Sequence, residues 1–146
     1  MDRTTEFGLK GATEMRQKNC VLLVDDDREF CSAMKKLLEK AGCEVAVTGD
    51  GYEALRVLSD SAFDLIIADL RMPKLGGVEF MEEINRREID TPVIFVTGYG
   101  EVESYMTLMN MGAFDYITKP FSGKELLRIV RRAMEAPDGV HMGQPP

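Results

Sequence analysis

Residues 20–27, Cys20-Val21-Leu22-Leu23-Val24-Asp25-Asp26-Asp27, decide the fold. Four consecutive apolar residues, two of them β-branched, run straight into three carboxylates. A strand with one wet face alternates polar and apolar residues; this run does not alternate, so both of its faces are covered. Four more runs share the pattern: Val45-Ala46-Val47, Leu65-Ile66-Ile67-Ala68, Val93-Ile94-Phe95-Val96 and Tyr116-Ile117-Thr118.

The stretches between these runs carry helical spacing. Phe30, Met34, Leu37, Leu38 and Ala41 fall on one stripe, as do Val78, Met81 and Ile84, and again Leu126, Ile129, Val130 and Ala133. Gly42, Pro92 and Pro137 supply stop signals. Short buried strands alternating with amphipathic helices give an α/β domain, a parallel sheet with helices on both faces. Right-handed crossovers then predict a doubly wound, flavodoxin-like sheet of five strands in the order 2-1-3-4-5.

Composition sets the outer limits. The chain has 146 residues, 45% hydrophobic and 29% charged, which is one domain with short tails. No apolar run is long enough to span a bilayer. The net charge of −7 repels phosphate backbones, so direct nucleic-acid binding by this domain is not expected, and a cation or a basic partner surface is. The three cysteines are odd in number with no C-x-x-C, and the single histidine, His141, lies near the end of the chain. They read as small core residues in a reducing cytosol, a cytoplasmic setting, rather than as disulfides or metal ligands. Residues 1–18 lack a signal-peptide core and read as a flexible leader, with Met15 a candidate native start and vector-derived residues before it. Residues 136–146, rich in Pro and Gly, read as a disordered tail or a truncated linker. The domain itself is assigned to 19–135.

In open α/β sheets the functional crevice lies beyond the carboxyl ends of the strands. The first strand ends in Asp25-Asp26-Asp27, the third in Asp69, the fourth in Thr97-Gly98 and the fifth in Lys119-Pro120. The second, edge strand ends in Thr48-Gly49-Asp50 and offers nothing obvious. Converging carboxylates repel unless a cation neutralises them, and an all-oxygen set suits Mg²⁺. A carboxylate beside a hard cation, an ammonium and a hydroxyl is equipped for phosphoryl transfer, with the carboxylate attacking phosphorus. Each piece alone is bland: Asp27 suits an N-cap better than a ligand, Thr97-Gly98 is a turn, and a lone Lys is usually solvated. Their combination at the strand ends is what points to phosphoryl transfer.

The set Val24-Asp25-Asp26, Asp69-Leu70-Arg71-Met72-Pro73, Val96-Thr97-Gly98 and Tyr116-Ile117-Thr118-Lys119-Pro120-Phe121 resembles the receiver domain of bacterial two-component response regulators, a CheY-like fold. The likeness covers about residues 19–135. It implies that Asp69 is the phosphoacceptor, that Asp25, Asp26, Asp69 and the backbone carbonyl of Arg71 hold Mg²⁺, and that Thr97 and Lys119 contact phosphoryl oxygens. It implies that Tyr116 is an aromatic switch coupled to Thr97, and that Lys119-Pro120 is cis. Arg71 and Tyr99 occupy the positions that tune phosphate lifetime; their bulk is expected to hinder water and give a lifetime of minutes or longer.

The implied phosphodonor is a sensor histidine kinase or a phosphotransfer protein. The implied output is transcriptional control through an attached or partner module, with no turnover of an external substrate. The fourth helix, about Val102 to Met111, is apolar on more than one face. By the family pattern Met106 and Met109 turn inward. Tyr105 and Leu108 turn outward and, with Tyr116, form an output surface across the fourth helix, fifth strand and fifth helix, which a homodimer would also use. The stretches around Thr97-Gly98-Tyr99-Gly100 and Gly112 to Tyr116 are similar to receivers that head enhancer-dependent activators. The rival is a haloacid-dehalogenase-type aspartyl-phosphate phosphohydrolase, whose D-x-D motif Asp25-x-Asp27 superficially fits. Glu29 stands where that family wants Thr or Val, and the chain has no room for a cap domain.

Overall fold

The computed structural model describes residues 19–98 and 102–135; the segments 1–18 and 136–146 and the side chain of Tyr99 lie outside the described residues. Strands β1 (Asn19–Val24), β2 (Cys43–Thr48), β3 (Leu65–Asp69), β4 (Val93–Thr97) and β5 (Asp115–Thr118) alternate with helices α1 (Arg28–Lys40), α2 (Gly51–Asp60), α3 (Gly77–Arg86), α4 (Val102–Asn110) and α5 (Gly123–Glu135). All pairings are parallel and the strand order is β2-β1-β3-β4-β5, as the sequence predicts.

The continuous apolar runs divide by alternation between two cores. Leu22, Val24, Ile66, Ala68 and Phe95 face one side, under α2, α3 and α4, where Leu55, Phe80, Ile84 and Leu108 complete the packing. Val21, Leu23, Leu65, Ile67, Ile94 and Val96 face the other side, under α1 and α5, with Met34, Leu38, Leu126 and Val130. Burial on both faces is why β1, β3 and β4 carry no polar alternation; the edge strands depart from the expectation, with Val47 of β2 42% exposed and Thr118 of β5 exposed, because each has a neighbour on one side only. Cys31 and Cys43 are buried and all three cysteines are free. No described helix is long and apolar enough to cross a membrane.

The helix starts are set by local hydrogen bonds. Asp27 is the N-cap of α1, its Oδ1 accepting from the Phe30 N–H at 3.1 Å. Asp50 caps α2 by accepting from the Glu53 N–H at 2.9 Å, while the Glu53 carboxylate accepts from the Gly49 N–H at 2.8 Å. Before α5 the Ser122 hydroxyl accepts from the Glu125 N–H and the Glu125 carboxylate accepts from the Ser122 N–H, a capping box. At α3 the N-cap is Gly76, without a side-chain cap bond, and a Cβ on the next residue, Gly77, would lie 2.7 Å from Leu70 Cδ1 and 3.0 Å from the Leu70 carbonyl oxygen, which accepts the Gly77 N–H at 2.9 Å. This close approach shuts the loop that follows Asp69. Gly77→Ala is expected to destabilise the fold by about 1–3 kcal/mol through overpacking, read as a lower melting temperature. An unchanged melting temperature would refute the account of that loop.

The α4 expectation needs correction. Leu108 is fully buried, not outward, and Met106 is 58% exposed, not inward; Met109 is buried and Tyr105 exposed. At about 100° per residue, Met106 lies about 200° round the helix from Leu108. The stripe meeting the sheet is centred on Leu108 and Met109, so Met106 falls on the opposite face. The C-terminal end of α4 is pinned: Asn85 Nδ2 donates to the Met111 carbonyl at 2.8 Å, and the Ala113 N–H donates to the Leu108 carbonyl at 3.0 Å. Gly112 between them takes φ +103°, a left-handed conformation that suits glycine after a helix.

Candidate functional site

The pairing Val24↔Ala68 brings the ends of β1 and β3 level, so the next residues of each strand, Asp25 and Asp69, sit side by side. Carboxylate oxygens of Asp25, Asp26 and Asp69 lie within 4.8 Å of one another. Asp25 is only 3% exposed. Its Oδ1 accepts from the Asp27 N–H at 2.9 Å, while its Oδ2 is buried without a hydrogen-bond partner. Burial pushes the Asp25 carboxyl above its usual range, against the pull of the Asp27 N–H; the charges of Asp69 and Asp26 add to the rise and Lys119 opposes it. Burial likewise raises the Asp69 carboxyl, against the Arg71 N–H bond to Oδ1 at 3.2 Å and the Lys119 charge.

Lys119 closes the site from β5. Its Nζ is 3.8 Å from Asp25 Oδ2, an ion pair too long for a hydrogen bond. Its backbone N–H donates to the Thr97 carbonyl at 2.6 Å, which ties the ends of β4 and β5 together. Thr97 itself is buried. The Lys119-Pro120 bond is cis. Arg71 is exposed on the loop after Asp69.

Tyr116 lies half-buried on the α4 side of the sheet, edge-on to Tyr105 with ring centroids 5.1 Å apart at 78°. Burial raises its phenol pKa. Of the output surface expected from the sequence, Tyr105 and Tyr116 are brought together and Leu108 is not; exposed Met106 is its neighbour in the helix.

The donor set fits a hard divalent cation. Every side-chain ligand on offer is oxygen, three carboxylates converge, and one buried oxygen lacks a donor. The nearest ammonium reaches Asp25 only at 3.8 Å. A cleft of about 550 Å³ opens beside the carboxylates and is lined by Arg28, Ser32, Lys35, Gly49 and Glu53 among others.

Two neighbours escaped sequence reasoning. Phe30 belongs to the apolar stripe of α1, yet its ring lies 4.0 Å from Lys119 Nζ. Cys31 Sγ lies 3.4 Å from the Asp25 carbonyl oxygen, and burial together with the nearby carboxylates pushes its thiol up to about 11. No sequence signal pointed to the Phe30 contact, which joins the first turn of α1 to the residue after β5.

The chain matches the response regulator receiver domain family over residues 21–131. It is 42% identical over 113 residues to the transcriptional regulatory protein CpxR of Escherichia coli K12, covering 77% of this chain and 48% of that protein. It is 36% identical to the regulatory protein AtoC of the same organism, covering 80% of this chain and 25% of AtoC. The chain thus spans about half or less of these relatives. Among solved structures, a receiver domain from Clostridium thermocellum superposes with a TM-score of 0.75 at 31% identity, covering 80% of this chain and 94% of the other. The receiver domain of NtrX from Brucella abortus gives 0.76 at 28%, covering 80% and 99%.

The fold and the acidic strand-end site define a signalling module of the two-component class. The chain belongs to the response regulator receiver domain family. The haloacid dehalogenase reading finds no support, and Asp27, which its motif needs in the reaction, is engaged as a helix cap.

Proposed function

We propose that Asp69 of this receiver accepts a phosphoryl group from a phosphohistidine of a sensor kinase or phosphotransfer protein, and that the charge gained there switches the α4–β5–α5 face. The observation that carries the proposal is the convergence of three carboxylates and one ammonium at adjacent strand ends. In the transfer, an Asp69 oxygen attacks phosphorus and forms an acyl-phosphate O–P bond. The donor N–P bond breaks, its electron pair leaves with the imidazole nitrogen, and that nitrogen takes up a proton. Asp25, Asp26, Asp69 and the Arg71 carbonyl would hold Mg²⁺, which supplies positive charge to the transferring oxygens. Lys119 pairs with a phosphoryl oxygen and the Thr97 hydroxyl donates to another.

The chain's own groups then carry the switch. Phosphorylation adds roughly −1.5 to −2 charges at a point where Asp25 and Asp26 already repel. Lys119 and Thr97 are joined by one main-chain hydrogen bond, so attraction acting on either acts on both. Tyr116, one strand across from Phe95 and edge-on to Tyr105, repacks with that movement. The output is transcriptional control through another module, in line with the relative CpxR, a transcriptional regulatory protein. The cytoplasm, where such kinases present phosphohistidine and thiols stay reduced, is the matching location. Arg71 and Tyr99, the latter outside the described residues, are the lifetime-setting residues.

Acetyl phosphate with Mg²⁺ is expected to add one phosphoryl group to Asp69, seen by intact-mass and peptide mass spectrometry, and Asp69→Ala is expected to add none. Failure of the wild type to gain mass, or a gain that persists in Asp69→Ala, would sink the proposal.

A further inference from the structure

We infer that Phe30 is a positioning residue for Lys119, resting on the reading of Lys119 as the phosphoryl-pairing ammonium. The ammonium lies between two partners, Asp25 Oδ2 at 3.8 Å and the face of the Phe30 ring at 4.0 Å from its centroid. An ammonium over an aromatic face is held by the ring quadrupole, an attraction that an aliphatic side chain of equal bulk does not supply. The ring is itself fixed. Phe121, two residues beyond Lys119, meets it edge-on with centroids 6.2 Å apart at 90°.

The backbone beneath Phe30 is indexed to the acidic site. The Phe30 N–H donates to the Asp27 side chain, and the Asp27 N–H donates to Asp25 Oδ1. Ring, ammonium and carboxylate therefore belong to one short hydrogen-bonded segment and its contacts. The Lys119 side chain is 28% exposed on a flexible four-carbon stem, so its single long ion pair does little to fix it. The ring face supplies the second contact. It keeps the ammonium at the rim of the carboxylate cluster, from which a short displacement meets an arriving phosphoryl group. Without it, more rotamer freedom must be given up in each transfer.

The test is a double-mutant cycle on phosphorylation by acetyl phosphate with Mg²⁺, followed by mass spectrometry, with melting temperatures recorded for every variant. Phe30→Leu is expected to slow phosphorylation roughly fivefold, which is about 1 kcal/mol. Phe30→Tyr, which keeps the ring, is expected to restore the rate. In a Lys119→Met background, Phe30→Leu is expected to change nothing further, because the cation it positions is gone. An equal loss in both backgrounds would show that Phe30 merely packs the core and would overturn the inference. A second readout needs no phosphate: the Lys119 ε-methylene resonances are expected upfield by ring current in the wild type and at ordinary positions in Phe30→Leu. Unshifted wild-type resonances would also overturn it. A wild type that shows the shift yet takes no phosphoryl group would instead overturn the phosphoacceptor reading, and the role assigned to Phe30 with it.

Discussion

Without metal, Asp25→Asn is expected to melt above the wild-type protein, and magnesium is expected to raise the melting temperature of the wild type but not of the variant. Both halves of this expected result follow from one buried oxygen. Asp25 Oδ2 is shielded from water, has no hydrogen-bond donor, and faces the carboxylates of Asp26 and Asp69. A buried polar atom without a partner costs about 1–3 kcal/mol, and more when it is charged. The amide removes the charge, keeps the oxygen that accepts the Asp27 N–H, and can donate to a neighbouring carboxylate. Against this stands the ion pair with Lys119, which at 3.8 Å is too long for a hydrogen bond and whose ammonium side chain is 28% exposed.

The metal-dependent half is a linkage argument. A cation that binds only the folded wild type stabilises it by about 2.7 kcal/mol at a concentration 100 times its dissociation constant. The sign with pH agrees. The folded-state pKa values of Asp25 and Asp69 are raised, so their contribution to metal-free stability is fully present below the unfolded value and is lost as pH rises through the folded one. Thermal melts of both proteins with and without MgCl₂ decide the matter. A variant that melts lower without metal, or that still responds to magnesium, would contradict the account.

The second large effect concerns α4. Leu108→Ala is expected to cost about 2–5 kcal/mol, because a fully buried leucine leaves a cavity under a helix that already packs against the sheet. Met106→Ala, two residues earlier, is expected to stay within about 0.5 kcal/mol, since its side chain is mostly in water. Urea denaturation of the two variants measures the contrast directly. Comparable losses, or a larger loss for Met106, would return the helix to the orientation expected from the sequence.

That contrast also marks where the sequence stopped being legible. The strands and their order could be read because doubly covered strands leave continuous apolar runs, and the crossover rule leaves few orders to choose from. The acidic cluster was legible because its members come at strand ends, and topology places strand ends together. The facing of α4 was not. Val102, Tyr105, Met106, Leu108, Met109 and Met111 are apolar around most of the helix, so periodicity alone did not fix which side meets the sheet. The contact of Phe30 with Lys119 was hidden for a different reason. It joins residues 89 positions apart in sequence, and each had a sufficient local explanation, a core stripe and a strand-end cation.

The fastening of α4 at one end has a mechanical consequence. Asn85 and the closure at Gly112 make the last turn a fulcrum, so the helix can pivot there more readily than it can slide. Nine residues at about 1.5 Å each give a lever arm of about 13 Å. A tilt of about 5° therefore carries the opposite tip about 1 Å, while the side chains near the fulcrum hardly move. Tyr105 rides near the travelling tip and Met109 near the axle, so a recognition surface built on the former would register the stroke and one built on the latter would not.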